Sequence, residues 1–175
     1  LGQLEEAVKS YEQALAIKPE YAEAHNNLGI TLQELGQLDA AVKSYEQALA
    51  IKPNYAEAHS NLGNTLKELG QLEAAVKSYE QALAIKPDYA EAHSNLGNTL
   101  NDLGQPEEAV KSYEQALAIK PDYAEAHYNL GATFQELRQR EEAVKSYEQA
   151  LAIKPDYAEA HSNLGVTLKE LGQLD

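Results

Sequence analysis

The stretch AVKSYEQALAIKP, residues 7–19, decides the fold because it recurs without a single change. The same letters begin again at Ala41, Ala75, Ala109 and Ala143, always 34 residues further on. A fixed period of this size indicates an array of structural repeats rather than one closed core. We therefore predict a single array over residues 1–175 with four full units, 22–55, 56–89, 90–123 and 124–157, and two partial units, 1–21 and 158–175.

Each full unit carries the pattern of two amphipathic helices. In the unit 56–89 the apolar residues of the first segment lie three or four apart, as on one helix face: Ala58, Leu62, Leu66 and Leu69. Gly70 can take the positive φ that ends many helices, and Pro87 cannot continue a second helix. The apolar residues between them again recur at helical spacing: Ala75, Val76, Tyr79, Ala82, Leu83 and Ile85. The sequence thus predicts ten helices and no strand.

Composition excludes several classes of function. The formal net charge is -14, so most of the surface should repel nucleic acid. No apolar run approaches the roughly 18 residues that cross a bilayer, so we expect no membrane span. The chain reads as soluble, and the lack of cysteine fits any compartment, the cytoplasm included. Because the sequence contains no methionine, we expect it to be a piece of a longer protein.

The repeat text resembles the tetratricopeptide repeat (TPR) family. The resemblance covers the whole chain and consists of Leu62-Gly63, Gly70, the small and large residues of the second helix, and Pro87 at the exit. It implies an all-α fold, a right-handed solenoid of stacked antiparallel helix-turn-helix repeats whose first helices line a concave groove. A lone hairpin would leave an apolar side uncovered, so each unit is expected to be stable only when stacked.

One departure from the family is systematic. Where the family often has tryptophan early in the first helix, this chain has a histidine in each copy: His25, His59, His93, His127 and His161. No second metal ligand lies three or four residues away on the same helix, so we predict a packing role and no metal. No nucleophile motif or P-loop occurs either, which predicts a non-catalytic chain without a cofactor.

The first helix should present one polar arc to solvent. At about 100° per residue, six residues share this arc: Glu57, Ser60, Asn61, Asn64, Lys67 and Glu68. The copies differ most at three of these positions, namely Asn26, Ser60, Ser94, Tyr128 and Ser162; Ile30, Asn64, Asn98, Ala132 and Val166; and Gln33, Lys67, Asn101, Gln135 and Lys169. Such variation is what a tuned binding surface would leave, and drift on an exposed face is the alternative.

One polar residue on this arc never changes: Asn27, Asn61, Asn95, Asn129 and Asn163. Its amide has donors and an acceptor that suit the backbone of an extended peptide. The HxNLG text is similar to the superhelical repeats of O-GlcNAc transferase, and this resemblance implies an asparagine ladder that grips ligand backbone. Nothing here corresponds to a glycosyltransferase domain. Bridging of adjacent units and simple duplication are the alternatives for these asparagines.

The remaining groove candidates are a row of acidic residues and one aromatic side chain. A glutamate recurs near the start of every first helix and could favour a basic ligand, although such rows are usually solvated: Glu23, Glu57, Glu91, Glu125 and Glu159. The unit 124–157 departs from the others in a cluster, Tyr128, Phe134, Arg138 and Arg140. Tyr128 could anchor a ligand side chain. Arg138 replaces the glycine of the bend, which we expect to be reshaped locally.

The leading interpretation is a non-catalytic scaffold that binds an extended peptide or partner segment along the groove. The predicted groove residues are the five invariant asparagines with Glu57, Ser60, Asn64, Lys67, Glu91, Ser94, Asn98, Glu125 and Tyr128. One alternative is a head-to-tail array, in which Leu164, Leu168 and Leu171 of one copy would cover Val8, Tyr11 and Leu15 of the next. Another is the substrate-recruiting arm of an enzyme whose catalytic domain lies outside this sequence.

Overall fold

A computed structural model describes residues 2–172, and within that range the chain forms ten α-helices and no strand. In chain order they are α1 Gly2–Ile17, α2 Ala22–Glu34, α3 Leu38–Ile51, α4 Ala56–Glu68, α5 Leu72–Ile85, α6 Ala90–Asp102, α7 Pro106–Ile119, α8 Ala124–Glu136, α9 Arg140–Ile153 and α10 Ala158–Leu171. The all-α class and the number of helices are confirmed.

The chain divides into two compact units, Leu1–Pro87 and Asp88–Asp175. In the first unit, α2 pairs with α3 and α4 with α5, while α1 packs on α2 and α3 packs on α4. In the second unit, α6 pairs with α7 and α8 with α9, while α7 packs on α8 and α9 packs on α10. Each unit is therefore a stack of helix-turn-helix pairs, and the single array over 1–175 stays a prediction.

A tyrosine on the second helix forms the centre of every hairpin. Tyr45, Tyr79, Tyr113 and Tyr147 are at most 1 % exposed. Each ring lies directly against the glycine of its first helix, where a Cβ atom would stand only 2.6–2.8 Å from a ring carbon. The glycine of each Leu-Gly pair is thus a packing requirement, because a larger residue would push the two helices apart.

The bend inside each hairpin has the same geometry in all four full repeats. At Gly70 the φ angle is 74° and the N–H groups of Gly70 and Gln71 donate to the carbonyls of Lys67 and Leu66 at 2.9 Å. Arg138 has a φ of 59°, and its N–H and that of Gln139 make the equivalent bonds at 3.0 and 2.8 Å. The expectation of a reshaped bend at Arg138 is wrong, because these two bonds hold the left-handed turn closed for either residue.

The histidines fix the turns between repeats. The Nε2 atoms of His25, His59, His127 and His161 donate to the carbonyl oxygen of the proline six residues earlier, at 2.9–3.0 Å. The ring therefore bridges the end of one repeat and the first helix of the next. The sequence predicted a packing role between helices, whereas the structure shows a hydrogen bond from these four rings to the preceding turn. Within residues 2–172 no helix has the length and apolar character needed to span a membrane.

Candidate functional site

The candidate site is the first-helix surface of each unit, which we define as the side that carries the invariant asparagines, on α2 and α4 in the first unit and on α6, α8 and α10 in the second. Ser60 and Ser94 were expected on its solvated arc, but they are only 3 % and 2 % exposed, so this expectation is wrong. Glu57, Glu91 and Glu125 are exposed. The other predicted groove residues with partly exposed side chains are Asn61, Asn64, Lys67, Asn95, Asn98, Tyr128, Asn129 and Asn163, while Asn27 is exposed.

Invariant asparagines form hydrogen bonds to the preceding repeat of the same unit. Asn61 Nδ2 donates to Asn26 Oδ1 at 3.0 Å, and Asn163 Nδ2 donates to the hydroxyl of Tyr128 at 3.1 Å. Asn129 Nδ2 donates to Asn98 Oδ1 at 2.9 Å. For these three asparagines the geometry supports bridging of adjacent repeats, one of the alternatives that the sequence left open.

The acceptor of this bridge changes with the length of a neighbouring side chain. Asn26 and Tyr128 lie 35 residues before their donors, at one of the variable positions of the first helix. The equivalent residue before Asn129 is Ser94, which is short and buried, and Asn98, 31 residues before the donor, accepts instead. Variable positions of the surface therefore supply alternative partners for one unchanging donor.

The backbone carbonyl of each invariant asparagine accepts a hydrogen bond from a buried threonine. The hydroxyl groups of Thr31, Thr65, Thr99, Thr133 and Thr167 donate to the carbonyl of the asparagine four residues earlier, at 2.8–3.1 Å. Such bonds to the i−4 carbonyl are open to threonine inside a helix. Sequence reasoning missed these residues, although their recurrence four positions after every asparagine was visible.

The buried tyrosines account for a second set of variable positions. The first of these positions holds Ile30, Asn64, Asn98 and Ala132 in successive repeats. Where it is asparagine, the hydroxyls of Tyr79 and Tyr113 donate to Asn64 and Asn98 at 2.7 and 2.8 Å. Where it is Ile30 or Ala132, the hydroxyls of Tyr45 and Tyr147 donate to Gln33 and Gln135 at 3.2 and 3.0 Å. An unpaired buried hydroxyl is unfavourable, so the two positions change together.

Burial also shifts the ionisation of these tyrosines. It raises the pKa of Tyr147 to about 12, and it raises the pKa of Tyr45 and Tyr113 well above the usual range. The hydroxyls therefore stay protonated and act as donors over the physiological pH range. Gln33, Asn98 and Gln135, the acceptors of these three tyrosines, therefore face a neutral hydroxyl donor.

The acidic row is paired with lysines from the turn that follows each second helix. Glu23, Glu57 and Glu91 lie 3.2, 3.8 and 3.8 Å from the Nζ atoms of Lys52, Lys86 and Lys120. Hydrogen bonds from the backbone and from Lys52 lower the pKa of Glu23. These ion pairs are exposed and weak, but they neutralise much of the row, which then gives little reason to expect a basic ligand.

Tyr128 packs against its own repeat and the next turn. Its ring centroid lies 4.9 Å from that of Tyr157 and 5.9 Å from that of Tyr147. With Asn163 donating to its hydroxyl, the side chain has internal partners on two sides. The structure thus gives Tyr128 a structural role, and its use as a ligand anchor stays a prediction.

Comparisons with known proteins place the chain in one family. The TPR repeat model matches residues 1–36, 32–70, 63–104, 97–137 and 139–172. The structure of MamA is similar at 27% identity and a TM-score of 0.83, covering 90% of this chain and 92% of that chain. TTC0263, a thermophilic TPR protein of Thermus thermophilus, is similar at 26% identity and a TM-score of 0.73, covering 96% of this chain and 92% of that chain.

A further solved structure shares the fold at lower identity. YrrB, described as a TPR protein with an unusual peptide-binding site, is 23% identical with a TM-score of 0.80, covering 94% of this chain and 85% of that chain. No curated protein sequence matches.

Proposed function

Because the chain belongs to the tetratricopeptide repeat family, we propose that it is a non-catalytic scaffold that binds an extended peptide along its first helices. Proteins of this family are generally protein-interaction scaffolds, and YrrB, which shares the fold, is described as having a peptide-binding site. The proposed binding mode is the asparagine ladder that the HxNLG text suggests by its similarity to O-GlcNAc transferase repeats.

The observation that carries this proposal is that two of the invariant asparagines, which we call ladder asparagines, have side-chain amide groups with unused hydrogen-bonding capacity. Asn61 and Asn129 each donate one Nδ2–H to the preceding repeat, while their Oδ1 atoms accept no hydrogen bond from residues 2–172. An asparagine amide has two N–H donors and an acceptor oxygen. A donor and an acceptor thus remain on a side chain whose orientation is already fixed.

Such a side chain matches the backbone of an extended peptide. Each residue of the peptide offers one N–H and one C=O, and an ordered amide loses little freedom on binding them. Because the contact is to backbone, it would tolerate many ligand sequences. The variable positions around the ladder would then set the specificity.

The test starts from a display library of random linear peptides, from which binders of the parent chain are selected. Changing Asn61, Asn95 and Asn129 together to alanine should weaken the selected peptides by about 0.5–1.5 kcal/mol for each lost hydrogen bond. Calorimetric titration measures this loss. A triple variant that binds as tightly as the parent would show that the ladder is structural only.

The matched control is Asn26→Ala, which removes the acceptor of the Asn61 bridge but keeps the ladder amide. Asn26 is 4 % exposed, so a ligand cannot reach it. We expect Asn26→Ala to lower stability to a similar extent as Asn61→Ala while leaving much more of the peptide affinity. Equal losses of affinity in both variants would mean that the bridge, and not the amide, supports binding.

A second candidate is head-to-tail association of two copies, which a specific feature of α10 favours. Gly165 has no atom within 4 Å of an added Cβ, whereas Gly131 faces the ring of Tyr147. Leu168 is 49 % exposed, and Val166 is 47 % exposed. A helix such as α1 of a second copy would place Tyr11 in the open position above Gly165.

The weight-average mass in sedimentation tests this second candidate. If the contact forms, the mass should rise with concentration, and Leu168→Glu should return it to that of the monomer. Association of the Leu168→Glu variant at the same concentrations would show that this apolar face is not the contact.

A further inference from the structure

We propose that the bend between α8 and α9 binds a carboxylate group of the partner peptide, with Arg138 as the main contact. The proposal deepens the peptide-binding function above and rests on it. The bend borders an open pocket of about 550 Å³ within the second compact unit. Six residues line this pocket: Ala132, Gln135, Glu136, Arg138, Arg140 and Glu170.

The pocket contains both arginines of the sequence. Arg140 Nε donates to Glu170 Oε2 at 2.9 Å, so one of the two guanidinium groups already holds an internal carboxylate. Arg138 is exposed and forms no ion pair with any described residue. The guanidinium group of Arg138 therefore has no internal carboxylate partner among the described residues, although the chain has twice as many acidic as basic residues.

A second donor lies on the wall of the same pocket. Gln135 Oε1 accepts from the hydroxyl of Tyr147 at 3.0 Å, which fixes the orientation of this amide. Its Nε2 group therefore remains as the donor end of a side chain that lines the pocket. A guanidinium group and an amide N–H are both donors that a carboxylate can accept from.

The local charge also differs from that of the rest of the chain. Two arginines balance Glu136 and Glu170 here, whereas the whole chain carries a formal charge of -14. The pocket lining therefore opposes an incoming carboxylate less than a purely acidic surface would, even though Glu141 and Glu142 follow Arg140 in the first turn of α9. Because Glu136 still opposes it, Glu136→Gln should tighten binding.

The experiment uses three blocked tripeptides as probes: acetyl-Ala-Glu-Ala-amide, the Gln analogue and the Lys analogue. Arg138 and Arg140 give the only guanidinium Nε–Hε signals in spectra of the ¹⁵N-labelled chain, so each can be followed directly. We expect a saturable shift of the Arg138 signal with the Glu probe and none with the other two. A response to the Lys probe would identify a site for cations at Glu136 and would overturn the proposal.

Two variants of Arg138 make the test specific. Arg138→Gly should abolish the response, and it should fold because glycine occupies the other three bends. Arg138→Lys should weaken binding by about tenfold, since an ammonium group cannot form two parallel bonds to a carboxylate. Unchanged binding of the Glu probe by Arg138→Gly would refute the assignment.

A fourth probe separates the two sources of a carboxylate. Acetyl-Ala-Ala-Ala with a free carboxyl end should bind more tightly than the Glu probe if the site prefers a chain terminus, and less tightly if it prefers a side chain. The triple asparagine variant should bind the Glu probe like the parent, because a tripeptide at the bend does not need the ladder. If that variant binds only the longer library peptides more weakly, the result is about the asparagine ladder. The Arg138 signal with the Glu probe tests the carboxylate site separately.

Discussion

The repeats 90–123 and 124–157 lie in the same compact unit and meet the same structural requirements with different residues. The hydroxyl of Tyr113 donates to Asn98, whereas that of Tyr147 donates to Gln135, three positions further along the helix than Ala132. The two repeats therefore share a buried donor but not its acceptor. The fold requires that the tyrosine hydroxyl be paired, and it leaves open which side chain pairs with it.

The same comparison holds at the bends. Gly104 has a φ of 72° and Arg138 a φ of 59°, and both bends are closed by the same pair of backbone bonds. A left-handed residue with a side chain is less favourable than glycine, so the repeat 124–157 tolerates a local cost that the repeat 90–123 avoids. The hairpin therefore needs a left-handed residue at the bend, and only the repeat 124–157 places a guanidinium group there.

The largest expected effect concerns the buried tyrosine hydroxyl that both repeats contain. The raised pKa of Tyr147, about 12, means that folding keeps this hydroxyl protonated after the unfolded chain has begun to ionise near pH 10. The contribution to stability is present below pH 10 and is lost as the pH rises towards 12. We expect cooperative loss of the helical circular dichroism signal over this interval, together with the absorbance of tyrosinate.

The control for this alkaline transition is Tyr147→Phe, which removes one ionising group and should move the midpoint to higher pH. The neighbouring Tyr113 has a raised pKa for the same reason, burial, and remains in the variant. Ionisation of the buried tyrosines near pH 10 without any loss of helix would contradict the prediction.

The next prediction concerns the glycine under each tyrosine ring. Gly97→Ala and Gly131→Ala would place a Cβ atom 2.7 and 2.8 Å from carbons of Tyr113 and Tyr147, so each should destabilise the chain by about 1–3 kcal/mol. Urea unfolding measures the loss. Because both repeats have this contact, similar losses are expected.

Gly165 supplies the matched control within the same unit. It occupies the equivalent position of α10, where an added Cβ meets nothing within 4 Å. Gly165→Ala should stabilise the helix by about 0.5–1 kcal/mol, since alanine loses less backbone freedom on folding. A loss of stability there would mean that the tyrosine contact is not what restricts the other glycines.

A third prediction exchanges the acceptors of the two repeats. Gln135→Ala leaves the hydroxyl of Tyr147 without its acceptor and should destabilise the chain by about 1–3 kcal/mol. Adding Ala132→Asn restores the arrangement seen at Asn98 and should recover most of this loss. If the double variant were no more stable than Gln135→Ala, the two positions would not be interchangeable acceptors.

The smallest effect is expected at the bends. Arg138→Gly should stabilise the chain by about 1 kcal/mol, because glycine takes the left-handed conformation without the clash of a Cβ atom. Gly104→Arg should lower stability by a similar amount, since an added Cβ there has open space and only the backbone conformation opposes it. Thermal unfolding of both variants tests the pair, and equal melting temperatures would mean that the bend imposes no strain.

Much of the fold could be predicted because its causes are local in the sequence. The helix bounds follow from apolar spacing, from Gly70 or its equivalents at the bend, and from the proline at the exit. The period of 34 residues then predicts the number of helices without any knowledge of their packing. The error at Arg138 arose because propensity alone does not include the two backbone bonds that close the turn.

The candidate site was predicted less well, since exposure on a helical arc depends on the neighbouring helices. Ser60 and Ser94 lie on the polar side of an isolated helix, yet packing in the unit leaves them 3 % and 2 % exposed. The ladder asparagines were identified from their constancy, but their bonds to the preceding repeat were only one of three alternatives. Their contact with a peptide stays a prediction.

The sequence by itself determined which residues must form helices, where each helix ends, and which glycine and tyrosine recur together. Only the tertiary structure decided that Asn129 bonds to Asn98 while Asn61 bonds to Asn26, and that Gln135 replaces an asparagine as the acceptor for a buried tyrosine. The physical reason is distance. Hydrogen bonds require atoms within about 3 Å, and the side chains that meet this limit across 31 or 35 residues are set by how the helices stack.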